Sequence, residues 1–383
     1  MYAYAFLGDF VLLYALYVLL FAQHGLSTAQ LSSLLAIWSI TSLTLEIPSG
    51  AWADATSRRA LLVVGPLLAG AGFALWIVVP SYPAFALGFI LWGVQGALQS
   101  GALEALVYEE LERVGAASRY AHLMGRAAAI GTAASALAIG LAAPVFALGG
   151  FTAVGVVSVL ASIAAAAVAA RLPEHRTHHG PNAGGGLRCY TAVLKAGLGE
   201  VRSKRGLRGA LLLVAAVSAI WGALDEYIPL LAAETGATTE AVPLLFLLVY
   251  LGVAAGGLLG GPAAHMSIRA LAALLVAAAT ALCLGAISGR SSGFVLIAVA
   301  FCAFQTATVV VDARLQTAIE GPARSTITSL AGLGTELLVL AAFAGYAAGS
   351  TVADHATLFA AFAAVYLGVA AALLASSGGA RAR

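Results

Sequence analysis

Nine ionisable side chains stand inside stretches of sequence that are otherwise apolar: Asp9, Glu46, Glu104, Arg126, Asp225, Glu226, Asp312, Arg314 and Glu336. A carboxylate taken out of water without a partner costs several kcal/mol, so it either pairs with a cation or takes up a proton. Seven acids face two bases, and the arithmetic favours proton uptake by some of the acids. Asp9, Glu46, Glu104 and Arg126 fall toward the same end of four spans of the first half, the first, second, fourth and fifth, and are read as one proton-coupling group. Arg126 would hold one carboxylate ionised while the others exchange protons, Glu104 or Asp9 being the expected carrier. The competing reading is a permanent ion-pair network that only fixes packing.

The elements that carry these residues are set by composition. The chain has 383 residues, 61% hydrophobic and 9% charged, where a soluble domain has about 25% charged residues. A helical crossing needs roughly 20 apolar residues, and the sequence offers twelve such runs: 2–22, 29–53, 59–79, 84–108, 119–143, 150–171, 207–231, 241–263, 268–288, 292–318, 324–349 and 355–376. Residues 1–22 carry Asp9, lack a basic leading region and run straight into another span, so they read as the first helix rather than a signal peptide. Of the 19 Lys and Arg, all but Arg126 and Arg290 fall in or beside the even-numbered connections and the C-terminus. Basic residues stay on the cytoplasmic side, which predicts a multi-pass plasma or inner membrane protein with both termini cytoplasmic. The formal charge of +2 gives no reason to expect nucleic acid. Cys189, Cys283 and Cys302 have no ligand spacing and suggest neither disulfides nor a metal.

Residues 171–208 form the long polar stretch, rich in Gly, Pro and Arg. They divide the chain into an N-terminal bundle (1–171), a cytoplasmic linker (172–206) and a C-terminal bundle (207–383). His175, His178 and His179 lie in this stretch without an acidic or thiol partner at ligand spacing, and no metal is expected there. The two halves echo each other. Gly50, Asp54 and Arg58 sit four apart between spans two and three, and Gly261, His265 and Arg269 sit four apart between spans eight and nine.

The stretch "EIPSGAWADATSRR" mixes membrane and surface chemistry within a few residues. Pro48 permits a bend, and Glu46 shares a polar stripe with Ser39, Ser42 and Gly50. Gly50 lets a helix end approach a neighbouring backbone closely. Asp54 is placed to meet the positive end of another helix, and Arg58 and Arg59 suit the cytoplasmic headgroups. Together Gly50, Asp54, Arg58 and Arg59 read as a breakable latch between the halves. "GAWADATSRR" resembles the loop signature of the major facilitator superfamily, with Ala55 and Ser57 at positions where that family has a basic residue and a glycine. The wider phrase "EIPSGAWAD", with "SGALEALVYEEL" in span four, resembles a bacterial efflux branch of the superfamily. The resemblance implies an all-α membrane fold of twelve transmembrane helices in two pseudo-symmetric six-helix bundles.

It also implies that spans one, four, seven and ten line a central path. Tyr14, Gln95, Gln99, Trp221, Asp225 and Gln305 then become path-lining candidates, with Asp312 and Glu336 as further acids facing it. "GTAASALAIGLAAPVFALGG" in span five resembles the Gly/Pro-rich motif of the superfamily's antiporters through Gly131, Gly140, Pro144, Gly149 and Gly150. The expected function is proton-coupled export of a small amphipathic or cationic organic compound by alternating access. The alternative is proton-driven import of a small nutrient such as a sugar or organic ion. A receptor or scaffold role is disfavoured by the buried acids. No nucleophile, metal or phosphate-binding constellation points to an enzyme, and neither Walker loop nor dinucleotide fingerprint is present. No cofactor is expected. The expected partners are the small-molecule substrate, protons and the lipid bilayer, with the chain a monomer.

Overall fold

A computed structural model of the chain describes residues 1–175, 199, 204–319 and 324–379, the side chains of 46–55, 205, 324–326 and 376–379 excepted. Among the described residues there are helices and no strands. Eleven helical stretches are long and apolar enough to cross a membrane. One of them, Ala117–Ala169, holds two spans, because the helix is interrupted at Gly149 and Gly150. Gly150 has φ +60° and ψ −155°, a conformation open to glycine and strained for other residues. The paired glycines at the end of the antiporter-like stretch thus make the turn between spans five and six. Spans one to four are Tyr2–Gln23, Thr28–Ala55, Arg58–Val78 and Tyr82–Arg113. Spans seven to twelve are Arg205–Glu234, Val242–Ala263, Ile268–Ile287, Phe294–Ala318, Arg324–Gly349 and His355–Gly379.

The chain forms two compact units: Met1–Thr177 with Ala237–Leu247, and His178–Gly236 with Leu248–Arg383. Most of the expected linker, 176–198 and 200–203, lies outside the described residues, as do His178 and His179.

Three spans that the hydropathy pattern presents as continuous are broken. Span one is helical over Tyr2–Asp9 and again over Tyr17–Gln23, with a tighter 3₁₀ turn at Leu12–Ala15 between them. Val11 N–H turns back onto the Asp9 carbonyl at 3.0 Å instead of closing the next helical turn onto Leu7. The buried Ser158 hydroxyl of span six receives Leu13 N–H at 3.1 Å, so the freed amide stays satisfied. Span four breaks at Ser100 and Gly101, Gly101 having φ +73°. Span seven breaks after Asp225 and resumes at Ile228. Pro229 stands four residues beyond Asp225, where it supplies no N–H and its ring crowds that carbonyl.

In the first unit, Trp76, Phe21, Phe85, Phe89, Tyr17 and Trp92 form an aromatic core with ring centroids 4.0–6.4 Å apart. Trp76 donates its indole N–H to the Phe85 carbonyl at 3.1 Å. In the second unit, Gly252, Gly256 and Gly260 of span eight recur every fourth residue. A Cβ at these positions would overlap the carbonyl oxygens of Ala298 and Cys302 and the side chain of Val309 in span ten. Such a small-residue row lets two backbones touch, which stands in for the hydrophobic drive that is missing between helices in lipid.

The internal duplication is visible in the helix caps. Ser57 caps span three by accepting Ala60 N–H at 3.0 Å, and Ser267 caps span nine by accepting Ala270 N–H at 3.1 Å. These caps pair Arg59 with Arg269 and Gly50 with Gly260, one residue away from the correspondence that the four-residue spacings suggest. The reason is physical: the repeated feature is a serine cap followed by a helix start, and that fixes the register.

Candidate functional site

The site in the first unit starts from a proline. Pro66 lies inside span three and has no N–H to give the carbonyl four residues earlier, that of Leu62. Tyr4 supplies the missing donor from span one: its hydroxyl bonds Leu62 O at 3.2 Å, buried beside Ala102, Leu106, Ala165 and Ala169. Having donated its hydrogen to a carbonyl, the Tyr4 oxygen acts as acceptor and takes Gln99 Nε2–H at 2.6 Å. Gln99 Oε1 in turn accepts from Gln95 Nε2 at 3.0 Å. The chain therefore has one direction, from Gln95 through Gln99 and Tyr4 to Leu62. Gly65 makes room for it, since a Cβ there would press on both glutamines at 3.3–3.4 Å.

Two of the proposed proton carriers lie near the Tyr4 end of this chain. Asp9 and Glu104 both lie close enough to Tyr4 to act on it electrostatically. The Asp9 carboxylate rests on Gly131 of span five, where any side chain would displace it, and the Asp9 carbonyl accepts from Ser135 Oγ at 3.3 Å. Glu104 stands in the first turn after the span-four break, its side chain exposed and also in electrostatic reach of Tyr120. Neither acid is in an ion pair among the described residues. Glu46 lies on the helix Thr28–Ala55 with its side chain outside the described residues, as do Pro48, Gly50 and Asp54.

Arg126 departs from expectation. Its guanidinium carbon stands 5.3 Å from the centre of the Tyr2 ring, and it forms no ion pair among the described residues. The side chain is exposed, and there a cation over an aromatic face gains about 0.5–1 kcal/mol without desolvating either partner fully.

The latch residues that are described tie span ends within the first unit. Arg58 Nη1 meets Glu109 at 2.5 Å, with 13% and 49% of the two side chains exposed. Glu174, just after span six, accepts Arg58 N–H at 2.7 Å and the Ser57 hydroxyl. Arg59 Nη1 reaches the Leu172 carbonyl at 3.4 Å. Glu110 accepts from His175 N at 2.7 Å and from Arg113 Nε at 3.2 Å. His175 is thus a partner of Glu110, and no metal-competent cluster of three His, Cys, Asp or Glu occurs among the described residues. In the second unit the same corner is held with opposite polarity: Arg314 Nη2 of span ten bonds the Met266 carbonyl at 2.5 Å.

The remaining path candidates divide. Tyr14 joins the aromatic core, 6.4 Å from both Tyr17 and Trp92. Trp221 is fixed at both ends. Its indole N–H donates to Thr308 Oγ1 at 3.1 Å, and its backbone N–H donates to Tyr366 OH at 2.9 Å. Tyr366 then donates to the Val217 carbonyl at 3.0 Å, so a hydroxyl from span twelve sits inside the helical ladder of span seven. Ser158 of span six makes half of such a contact in span one: it accepts Leu13 N–H, but donates to Val154 O of its own helix. Gln305 packs its Cβ over Gly256, and Asp312 is exposed on span ten. Asp225, at the span-seven break, and Glu336 are half-buried and engaged.

Sequence reasoning missed Tyr4, Ser158, Tyr366, Glu109 and Glu174. The signal for Tyr4 was present in Pro66, because a proline inside a span predicts that another helix must satisfy the carbonyl four residues back.

Residues 1–342 match the family described as Major Facilitator Superfamily. No curated protein sequence matches the chain. Similar solved structures include a bacterial homolog to the human lysosomal transporter Spinster, in an inward-facing and unoccupied conformation (TM-score 0.71, 16% identity, covering 97% of this chain and 93% of that one). They also include the nucleoside transporter NupG (0.72, 12%, 98% and 96%) and a D-xylose-proton symporter (0.69, 12%, 97% and 94%). At these identities the likeness shows the fold.

Proposed function

The chain belongs to the major facilitator superfamily, and we propose that it is a proton-coupled secondary transporter exporting a small amphipathic or cationic organic compound by alternating access. The observation that supports the reading is that Asp9 and Glu104 both lie within electrostatic reach of Tyr4, each next to a break, in span one and in span four. Ionisable groups at broken membrane helices mark ion and substrate pathways. A carboxyl without a cationic partner in such a place exchanges a proton with the compartment to which it opens, and its charge then biases which way the helix pairs close. The export direction rests on the resemblance of Gly131–Gly150 to the antiporter motif. We further place the even-numbered connections and both termini on the cytoplasmic side, from the distribution of Lys and Arg.

The second reading is import, and the observation in its favour is the likeness to a D-xylose-proton symporter and a nucleoside transporter. One experiment separates the two. Purified protein in proteoliposomes with an internal pH dye is challenged with cationic, neutral and anionic compounds. Proton movement opposite to the compound supports export by antiport. Movement with the compound supports import, and no compound-driven proton movement across the panel overturns both.

A further inference from the structure

Span twelve begins on a histidine that three helices share. The first backbone donors of a helix have no partner within it, and here two carboxylates take them. Glu234, the last residue of span seven, accepts His355 N–H at 3.3 Å and Ala356 N–H at 3.0 Å, and Asp354 accepts Thr357 N–H at 2.8 Å. The half-buried His355 ring turns to the third helix and meets the Tyr346 hydroxyl of span eleven through Nδ1, at 2.8 Å. Tyr346 is fully buried and lies face to face with Tyr227, 3.7 Å away at 11°. Tyr227 stands in the span-seven break, between Asp225 and Ile228. All of these residues belong to the second unit.

The direction of the Tyr346 bond decides its chemistry. Tyr346 OH has no acceptor among the described residues other than His355 Nδ1, and a buried hydroxyl left without one costs about 1–3 kcal/mol. The tyrosine therefore donates, and Nδ1 must be bare. A protonated imidazole carries N–H on both nitrogens and would turn this bond round, stranding the tyrosine hydrogen. The protonated ring has another place to go, because the carboxylates of Glu234 and Asp354 are within electrostatic reach of His355. Span seven also carries Asp225, Glu226 and Tyr227 at its break, and span eleven brings only Tyr346 to this end. Span nine, which packs against span twelve, adds Cys283 in its last turns and Arg290 beyond its end.

We propose that His355 is a proton-binding site at the end of the second unit opposite the linker, and that proton uptake there moves the imidazole from Tyr346 to the carboxylate of Glu234. Nδ1 takes the proton from the surrounding water, and an N–H to carboxylate contact replaces the O–H to nitrogen contact that is lost. Glu234 is then drawn off the backbone donors of span twelve, and Tyr346 loses the bond that holds it against Tyr227. The span-seven break thereby responds to pH at this end, which the proposed topology places outside. The site is separate from Asp9 and Glu104, and it stands whether or not those acids carry a coupling proton.

The test is NMR of histidine labelled at the ring nitrogens, in purified full-length protein in nanodiscs, with His355 identified as the signal missing from His355→Gln. In alkaline buffer the wild-type Nδ1 should be unprotonated and hydrogen-bonded, and acidification should protonate it with loss of that bond. Tyr346→Phe removes the competing donor and should raise the proton affinity of His355 about tenfold, the size expected for one buried hydrogen bond. Glu234→Gln removes the receiving carboxylate and should lower that affinity, whereas a general loosening of the fold would move both variants the same way. Each variant is first shown to elute as the wild type does. An Nδ1 that carries hydrogen in alkaline buffer overturns the proposal in the wild type, with no variant needed. Equal proton affinity in the wild type and Tyr346→Phe overturns it too.

Discussion

Tyr4 donates its hydroxyl hydrogen to the carbonyl of Leu62, 3.2 Å away and buried, at a point in span three where Pro66 has removed the helical donor. The bond joins span one to span three and sets the polarity of the whole glutamine chain. Tyr4→Phe should therefore leave a buried carbonyl unsatisfied, at a cost of about 1–3 kcal/mol. Pro66→Ala restores an N–H within the helix, so the double variant should recover most of that loss. A double-mutant cycle by thermal unfolding in detergent checks this, and simple additivity would show that the proline and the tyrosine are unrelated.

Tyr366 OH should behave as part of the span-seven backbone. It bridges Trp221 N–H to the Val217 carbonyl, whereas in span one Ser158 only accepts Leu13 N–H and gives its own hydrogen to the Val154 carbonyl of span six. In Tyr366→Phe the two backbone groups either close on each other, straightening the helix, or remain open at about 1–3 kcal/mol. Hydrogen exchange at residues 217–225 distinguishes the variant from wild type in both cases, and an unchanged exchange pattern would contradict the bridge.

The glycine row of span eight should tolerate no side chain. Gly256→Val would drive a branched group into the Cys302 carbonyl and is expected to abolish folded expression. Gly261→Ala, where a Cβ meets nothing within 4 Å, should express normally. Monodisperse yield after gel filtration decides it.

The proposed topology rests on the basic residues alone. A cysteine introduced at Gly185 should resist a membrane-impermeant thiol reagent in intact cells and react in inverted vesicles. Labelling from outside would reverse the assignment of every connection.

The spans were legible because membrane helices must carry long apolar runs, and the loop signature at Gly50–Arg59 pointed to the family from four matching residues. The breaks were not legible from hydropathy, since "GDFVLLYA" is as apolar as an unbroken helix, and Ser158 satisfies the open turn from 145 residues away. The site was half legible. Asp9, Glu104, Gln95 and Gln99 were singled out by type, but as two separate groups; Tyr4, which joins them, looks in sequence like any aromatic residue near a membrane interface. Arg126 misled because an arginine among acids suggests an ion pair, whereas its exposed side chain settles over Tyr2.

In the proposed cycle the acids near Tyr4 carry the coupling proton. The most direct measurement compares substrate counterflow with pH-driven accumulation in proteoliposomes of Asp9→Asn, Glu104→Gln and the double variant, after a transported compound has been found with wild-type protein. Loss of pH-driven accumulation with counterflow retained, in at least one single variant and in the double, is the predicted result. Full pH-driven accumulation in the double variant would exclude both acids as the carrier and move the proton site elsewhere, with Asp225, Asp312 and Glu336 next to be tested.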